Sequence, residues 1–314
     1  MTALPDQSLR SRLIGCAVGS AIGDALGMPL EFGAPRSPDD YVIEMIPGRL
    51  PAGSFTDDTE MSLAVAESLL TRQPLDGEDL TRHFVQWHKS MPPDEGIQTA
   101  RVLSWLEKGE NWQSVSGKIE REMPDSAGNG SIMRCWPVAL VWWADRSQRI
   151  TDSVLQSQIT HPHPDCIAGC KLVNLMIVDL AKGATPLQAF DASLQSVVLS
   201  EDFRKMLNAA PQRGRQELKN TGWVRHTLES VVWALLNTTT FEDALIQAVN
   251  LGEDADTVGA VVGALAGAAY GVEAIPQRWR SDLRGEWPVN SGNIWHETDF
   301  VELADRLMTL SLPL

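Results

Sequence analysis

The stretch GCAVGSAIGDALG, residues 15–27, places glycine at every fourth position: Gly15, Gly19, Gly23 and Gly27. A step of four returns to nearly the same side of an α-helix, so the four glycines form one ridge. Each glycine inside a helix costs roughly 0.5–1 kcal/mol relative to alanine. A ridge of four needs compensation, and a surface without side chains finds it in close approach to another backbone. A second ridge, Gly259, Gly263, Gly267 and Gly271, runs through VGAVVGALAGAAYG, residues 258–271. The two segments are expected to be buried helices at the packed centre of the fold.

Helical spacing continues along the chain, as in Met61, Ala64, Val65, Ser68 and Leu69, or Val258, Val261, Val262, Leu265 and Ala269. Strand alternation is scarce. Capping residues ahead of apolar stripes, at Asp76 and Thr240, mark helix starts, and about a dozen helices are expected. Irregular stretches fall near residues 33–56, 90–96, 122–130, 210–222 and 284–297. No tandem repeat or long linker divides the chain, so residues 1–314 are read as a single all-α domain. The N-terminal apolar run resembles a signal peptide only superficially, because its glycines form a ridge. The second apolar segment, 257–272, is shorter than the roughly 20 residues a membrane span needs.

The formal net charge of −15 argues against general binding to a phosphate backbone. An anionic substrate requires local positive charge from a few arginines, helix N-termini or bound cations. The four cysteines, Cys16, Cys135, Cys166 and Cys170, form no CxxC pair and are expected in the core, which fits a reducing, cytoplasmic setting.

Two acid clusters stand out. GSFTDDTEMSL (53–63) holds Thr56, Asp57 and Asp58, and GEDADT (252–257) holds Asp254, Asp256 and Thr257. Each opens a buried helix. A helix N-terminus favours an anion by roughly 0.3–1 kcal/mol, too little to gather four carboxylates in one pocket. One or two divalent cations would suffice, and oxygen-only donors favour a hard ion such as Mg²⁺, Mn²⁺ or Ca²⁺. Either cluster alone also fits an ordinary N-cap with acids in the first turn.

In order and spacing, GCAVGSAIGDALGMPLEF (15–32), GSFTDDTEMSL (53–63), PPDEGIQT (92–99), AGNGSIMRCWPVAL (127–140), ITHPHPD (159–165) and GEDADTVGAVVGALAGAAYG (252–271) resemble the ADP-ribosylglycohydrolase family. The resemblance runs from about residue 8 to about residue 272. It implies a compact orthogonal helical bundle with a binuclear Mg²⁺ or Mn²⁺ centre. Thr56, Asp57, Asp58, Asp254, Asp256 and Thr257 match its metal ligands. Glu31 matches an acid near the metals and the scissile ribose, and Asp94 one proposed to act at the ribose. Gly128, Asn129, Gly130, Ser131 and His161 match ligand-contacting positions. Arg134 is left open between a phosphate and a nearby acid. Glu253, where relatives often carry glycine or another small residue, and Phe55, where many carry tryptophan, depart from the pattern without removing a ligand.

Cleavage at an anomeric carbon develops oxocarbenium-like charge on the ribose, which a nearby carboxylate stabilises while it or another activates water. The resemblance thus implies removal of ADP-ribose from a protein side chain or small acceptor, with arginine the leading acceptor. Two other classes are carried beside it: a two-metal hydrolase of a nucleotide or phosphoester, and a non-catalytic ADP-ribose-binding relative.

Overall fold

The computed structural model describes residues 5–310. In chain order its helices are α1 (Gln7–Gly27), α2 (Asp57–Thr71), α3 (Gly77–Lys89), α4 (Ile97–Glu107) and α5 (Trp112–Glu122). They continue with α6 (Trp136–Val141), α7 (Arg146–Gln158), α8 (Pro164–Ala181), α9 (Pro186–Ser196) and α10 (Glu201–Ala209). The last five are α11 (Val224–Leu236), α12 (Phe241–Val249), α13 (Ala255–Tyr270), α14 (Gln277–Asp282) and α15 (Glu297–Thr309). Between α14 and α15, β1 (Gly285–Glu286) pairs antiparallel with β2 (Ile294–Trp295), which is the only sheet among the described residues. The protein is all-α, as its sequence periodicity requires.

The two glycine ridges pack against each other. A methyl group placed on Gly19 would lie 2.3 Å from the Gly263 carbonyl oxygen, and one on Gly23 would lie 1.9 Å from that of Gly259. Gly15 meets Gly267 in the same way, and Gly27 meets Ala255. Rising numbers on one helix pair with falling numbers on the other, so α1 and α13 are antiparallel. Gly271 has a further role: its φ of 84° lets the chain leave α13.

Around this pair lie α2, α8, α11, α12 and α15. Every residue of α1 from Leu13 to Gly27 is buried. This helix is long and apolar enough to cross a membrane, but 94% of its apolar window is covered by the rest of the protein. The expected caps are in place, with Asp76 accepting from the Asp79 N–H and Thr240 from the Asp243 N–H. All four cysteines are free and buried. Trp143 is buried and Trp142 half-buried, each donating its indole N–H inside the fold, to the Met308 carbonyl and to Asp152 respectively.

Candidate active site

Because α1 and α13 are antiparallel, the C-terminal end of the first helix lies at the N-terminal end of the second. The segment leaving α1 therefore carries Glu31 to the acids that open α13. A cavity of about 730 Å³ forms there, lined by Glu31, Asp57, Asp58, Asp94, Asp254, Asp256 and Thr257. Its opposite wall includes Gly128, Asn129, Gly130, Met133 and His161, with Phe32 and Ile97 exposed at its edge.

Asp24, inside the glycine ridge, explains how Asp57 and Asp58 are held. It accepts from the Thr56 N–H (2.9 Å) and hydroxyl (2.8 Å), and from the Thr59 N–H (3.1 Å) and hydroxyl (2.6 Å). Thr56 makes no side-chain cap of its own, so a carboxylate from α1 caps α2 across the core. Burial pushes the fully enclosed Asp24 up to about 6 against these four hydrogen bonds, which favour its charged form. The sequence reading missed Asp24, although an acid in an otherwise apolar buried helix was the available signal.

From the other side, Asp254 accepts from the Asn129 amide at 2.5 Å, and that amide also donates to the Thr227 hydroxyl at 2.9 Å. Asp256 accepts from the Thr257 N–H at 2.9 Å. Oxygens of Glu31, Asp94 and Asp256 lie within 4.8 Å of one another. Arg49, which the sequence reading did not select, reaches into this group. Its guanidinium bonds both Glu31 and Asp94 and comes to 3.5 Å from Asp256.

The acids are under electrostatic load. Burial, then the Asp256 charge, pushes Glu31 up to about 10, with Arg49 opposing. Burial and neighbouring carboxylates hold Asp57 and Asp58 well above the usual range. Asp254 rises to about 7 and Asp256 to about 6, burial being the largest cause for each. One Asp58 oxygen, Oδ1, is fully buried without a hydrogen-bond partner. An orphaned carboxylate oxygen among all-oxygen donors suits a hard cation, so these residues fit metal binding.

The glycine loop is pinned to the stretch before α11, with the Asn129 N–H donating to the Gly222 carbonyl at 3.0 Å and the Val224 N–H to that of Ala127 at 2.9 Å. Thr221 and Gly222 thereby join the cavity wall, which the sequence reading did not foresee. His161 is buried beneath the loop, its Nδ1 2.8 Å from the Thr160 hydroxyl, and burial followed by Arg134 keeps its ring neutral at ordinary pH. A methyl group on Gly130 would come within 2.9 Å of the His161 ring, so that position has no room for a side chain.

Ser131 sits behind the loop, fully buried, with its hydroxyl 3.0 Å from that of Ser157. Arg134 takes neither of the roles open to it in the sequence. It is buried over the Phe84 ring and donates to Gln156 and Thr160.

The sequence signature described as ADP-ribosylglycohydrolase matches residues 5–313. An ADP-ribosylarginine hydrolase of Pseudomonas putida is 36% identical over 292 residues, covering 88% of this chain and 75% of that protein. An ADP-ribosyl-[dinitrogen reductase] glycohydrolase of Rhodospirillum rubrum is 35% identical over 283 residues, covering 88% and 91%. A solved chain described as an ADP-ribosylglycohydrolase-related protein complex superposes with a TM-score of 0.74 at 30% identity, over 98% of this chain and 100% of the other. Helical architecture, acid-lined cavity and sequence likeness along almost the whole length agree, and the chain belongs to the ADP-ribosylglycohydrolase family.

Proposed function

We propose that this protein is a metal-dependent hydrolase that releases ADP-ribose from a modified acceptor, arginine being the favoured one, and thereby reverses mono-ADP-ribosylation. The observation that carries the reading is the convergence of Glu31, Asp94 and both aspartate clusters on one cavity beside a glycine loop. About 730 Å³ falls in the range of small-molecule sites and accommodates a nucleotide-sized ligand. The names of the relatives support arginine as the acceptor.

In this reading Thr56, Asp57, Asp58, Asp254, Asp256 and Thr257 hold two divalent cations, Mg²⁺ or Mn²⁺. Such ions neutralise the crowded carboxylates and fix ribose hydroxyls. The protein's own groups carry the remaining work. Glu31 and Asp94 stand where positive charge develops at the anomeric carbon. Glu31, largely buried beside Asp256, is suited to exchange a proton with water or with the departing nitrogen. Gly128 and Gly130 line the cavity with backbone free of side chains, which lets a diphosphate approach closely, and the neutral His161 ring supports that loop. Free, buried thiols support action in the reducing cytoplasm on ADP-ribosylated protein or a small ADP-ribosyl acceptor.

The decisive experiment incubates the purified protein with ADP-ribosyl-arginine and analyses the products. Intact ADP-ribose is expected with Mg²⁺ or Mn²⁺, and Glu31→Gln should lower kcat by about 10²–10⁴. AMP or phosphate as product, or undiminished turnover in chelator, would refute the proposal.

A further inference from the structure

We propose that Arg49 is a built-in occupant of the acceptor subsite, its guanidinium lying between Glu31 and Asp94 where the guanidinium of an ADP-ribosylated arginine must sit. Its two terminal nitrogens are shared between the two acids, Nη1 bonding Glu31 and Nη2 bonding Asp94. Nη2 also faces Asp256 at 3.5 Å. All three acids line the cavity, whereas Arg49 reaches over its edge from the irregular segment between α1 and α2.

Two carboxylates that divide the nitrogens of one planar fork select for a guanidinium by shape as well as charge. A hydroxyl acceptor offers a single donor, and an ammonium is a point charge without the fork. The pair Glu31 and Asp94 therefore supplies acceptor specificity, which deepens the hydrolase reading and rests on it. Arg49 satisfies the pair while substrate is absent. Arg49 sits in a bend where the Gly48 N–H bonds the Leu50 carbonyl, and its side chain is 30% exposed, so a change of its own rotamer is enough to clear the subsite.

An occupant of this kind weakens an incoming guanidinium by the fraction of time the subsite is empty. The test is calorimetric titration of the Mg²⁺-loaded protein with agmatine, which carries the acceptor group without ADP-ribose, beside butylamine as an ammonium without the fork. Arg49→Met, which keeps the apolar stem, should lower the agmatine Kd about tenfold or more and move the butylamine Kd less than threefold. Arg49→Lys should fall between wild type and Arg49→Met for agmatine. An agmatine Kd unchanged or raised in Arg49→Met, or equal gains for both probes, would overturn the proposal. A thermal melt confirms that each variant is folded. Turnover of ADP-ribosyl-arginine is measured in parallel. Its absence together with the expected agmatine gain would remove the hydrolase reading and leave the guanidinium clamp standing.

Discussion

Phe32 and Glu253 are locked to each other through their backbones: the Phe32 N–H donates to the Glu253 carbonyl at 2.6 Å, and both residues have positive φ, 61° and 51°. The Glu253 N–H returns a bond to the Gly33 carbonyl at 2.7 Å. This clasp joins the segment carrying Glu31 to the turn carrying Asp254, so the two sides of the cavity are fixed by main chain as well as by side chains. It also gives a physical reason for a small residue at position 253, since left-handed backbone is cheapest for glycine.

Glu253→Gly should accordingly preserve the clasp and raise stability by about 0.5–1 kcal/mol, as the relief of left-handed strain outweighs the extra freedom of the unfolded chain. Glu253→Val should lower it by at least about 1 kcal/mol. Urea denaturation of the three proteins measures both signs.

Asp24→Asn is expected to disturb the site without touching it. An amide in place of the carboxylate turns one acceptor into a donor that faces the Thr56 and Thr59 donors, at a cost of about 2–3 kcal/mol. Cation affinity, read by calorimetry on the folded variant, should fall at least tenfold because Asp57 and Asp58 lose their anchor.

Glycine-to-alanine substitutions should separate the ridge from ordinary helix. Gly23→Ala forces a methyl into the Gly259 carbonyl and should cost more than about 3 kcal/mol. Gly117→Ala in α5 meets only the flexible end of Arg121 at 3.3 Å and should gain up to about 1 kcal/mol. Melting temperatures of the two variants, moving in opposite directions, are the check.

Cation-dependent stability should grow with pH. A carboxyl whose folded value is raised keeps its proton in the native protein at a pH where the unfolded chain has lost it, so native stability falls as pH rises. That stability is fully present below the ordinary carboxylate range, near pH 4. It is lost as pH passes about 6 for Asp256, about 7 for Asp254 and about 10 for Glu31. Chelator-treated protein should melt progressively lower from pH 5 to pH 8, and added Mg²⁺ should restore more at pH 8 than at pH 5. A restoration independent of pH, followed by scanning fluorimetry, would contradict this.

The fold was legible because its signals are local and repeated. Glycine every fourth residue in Gly15–Gly27 and Gly259–Gly271 forecast two buried helices, and Asp76 and Thr240 marked helix starts where they occur. The acid clusters were legible as clusters. What could not be read is the chemistry made by distant segments meeting. Asp24 gains its role only when Thr56 and Thr59 fold onto α1. Arg49 belongs to a stretch with no periodic pattern, and the orientation of Ser131, in the turn before α6, depends on Ser157 of α7. Arg134 was ambiguous for the same reason, since its partners Gln156 and Thr160 are neutral residues that carry no charge signal in the sequence.

The antiparallel pairing of α1 with α13 has a consequence for biosynthesis. A nascent chain emerging from the ribosome exposes the bare flank of α1 long before α13, the helix that receives it, is translated. Chains terminated ahead of Asp254 would lack both α13 and the acids that open it, so completion of the core and of the cavity waits on late-synthesised residues.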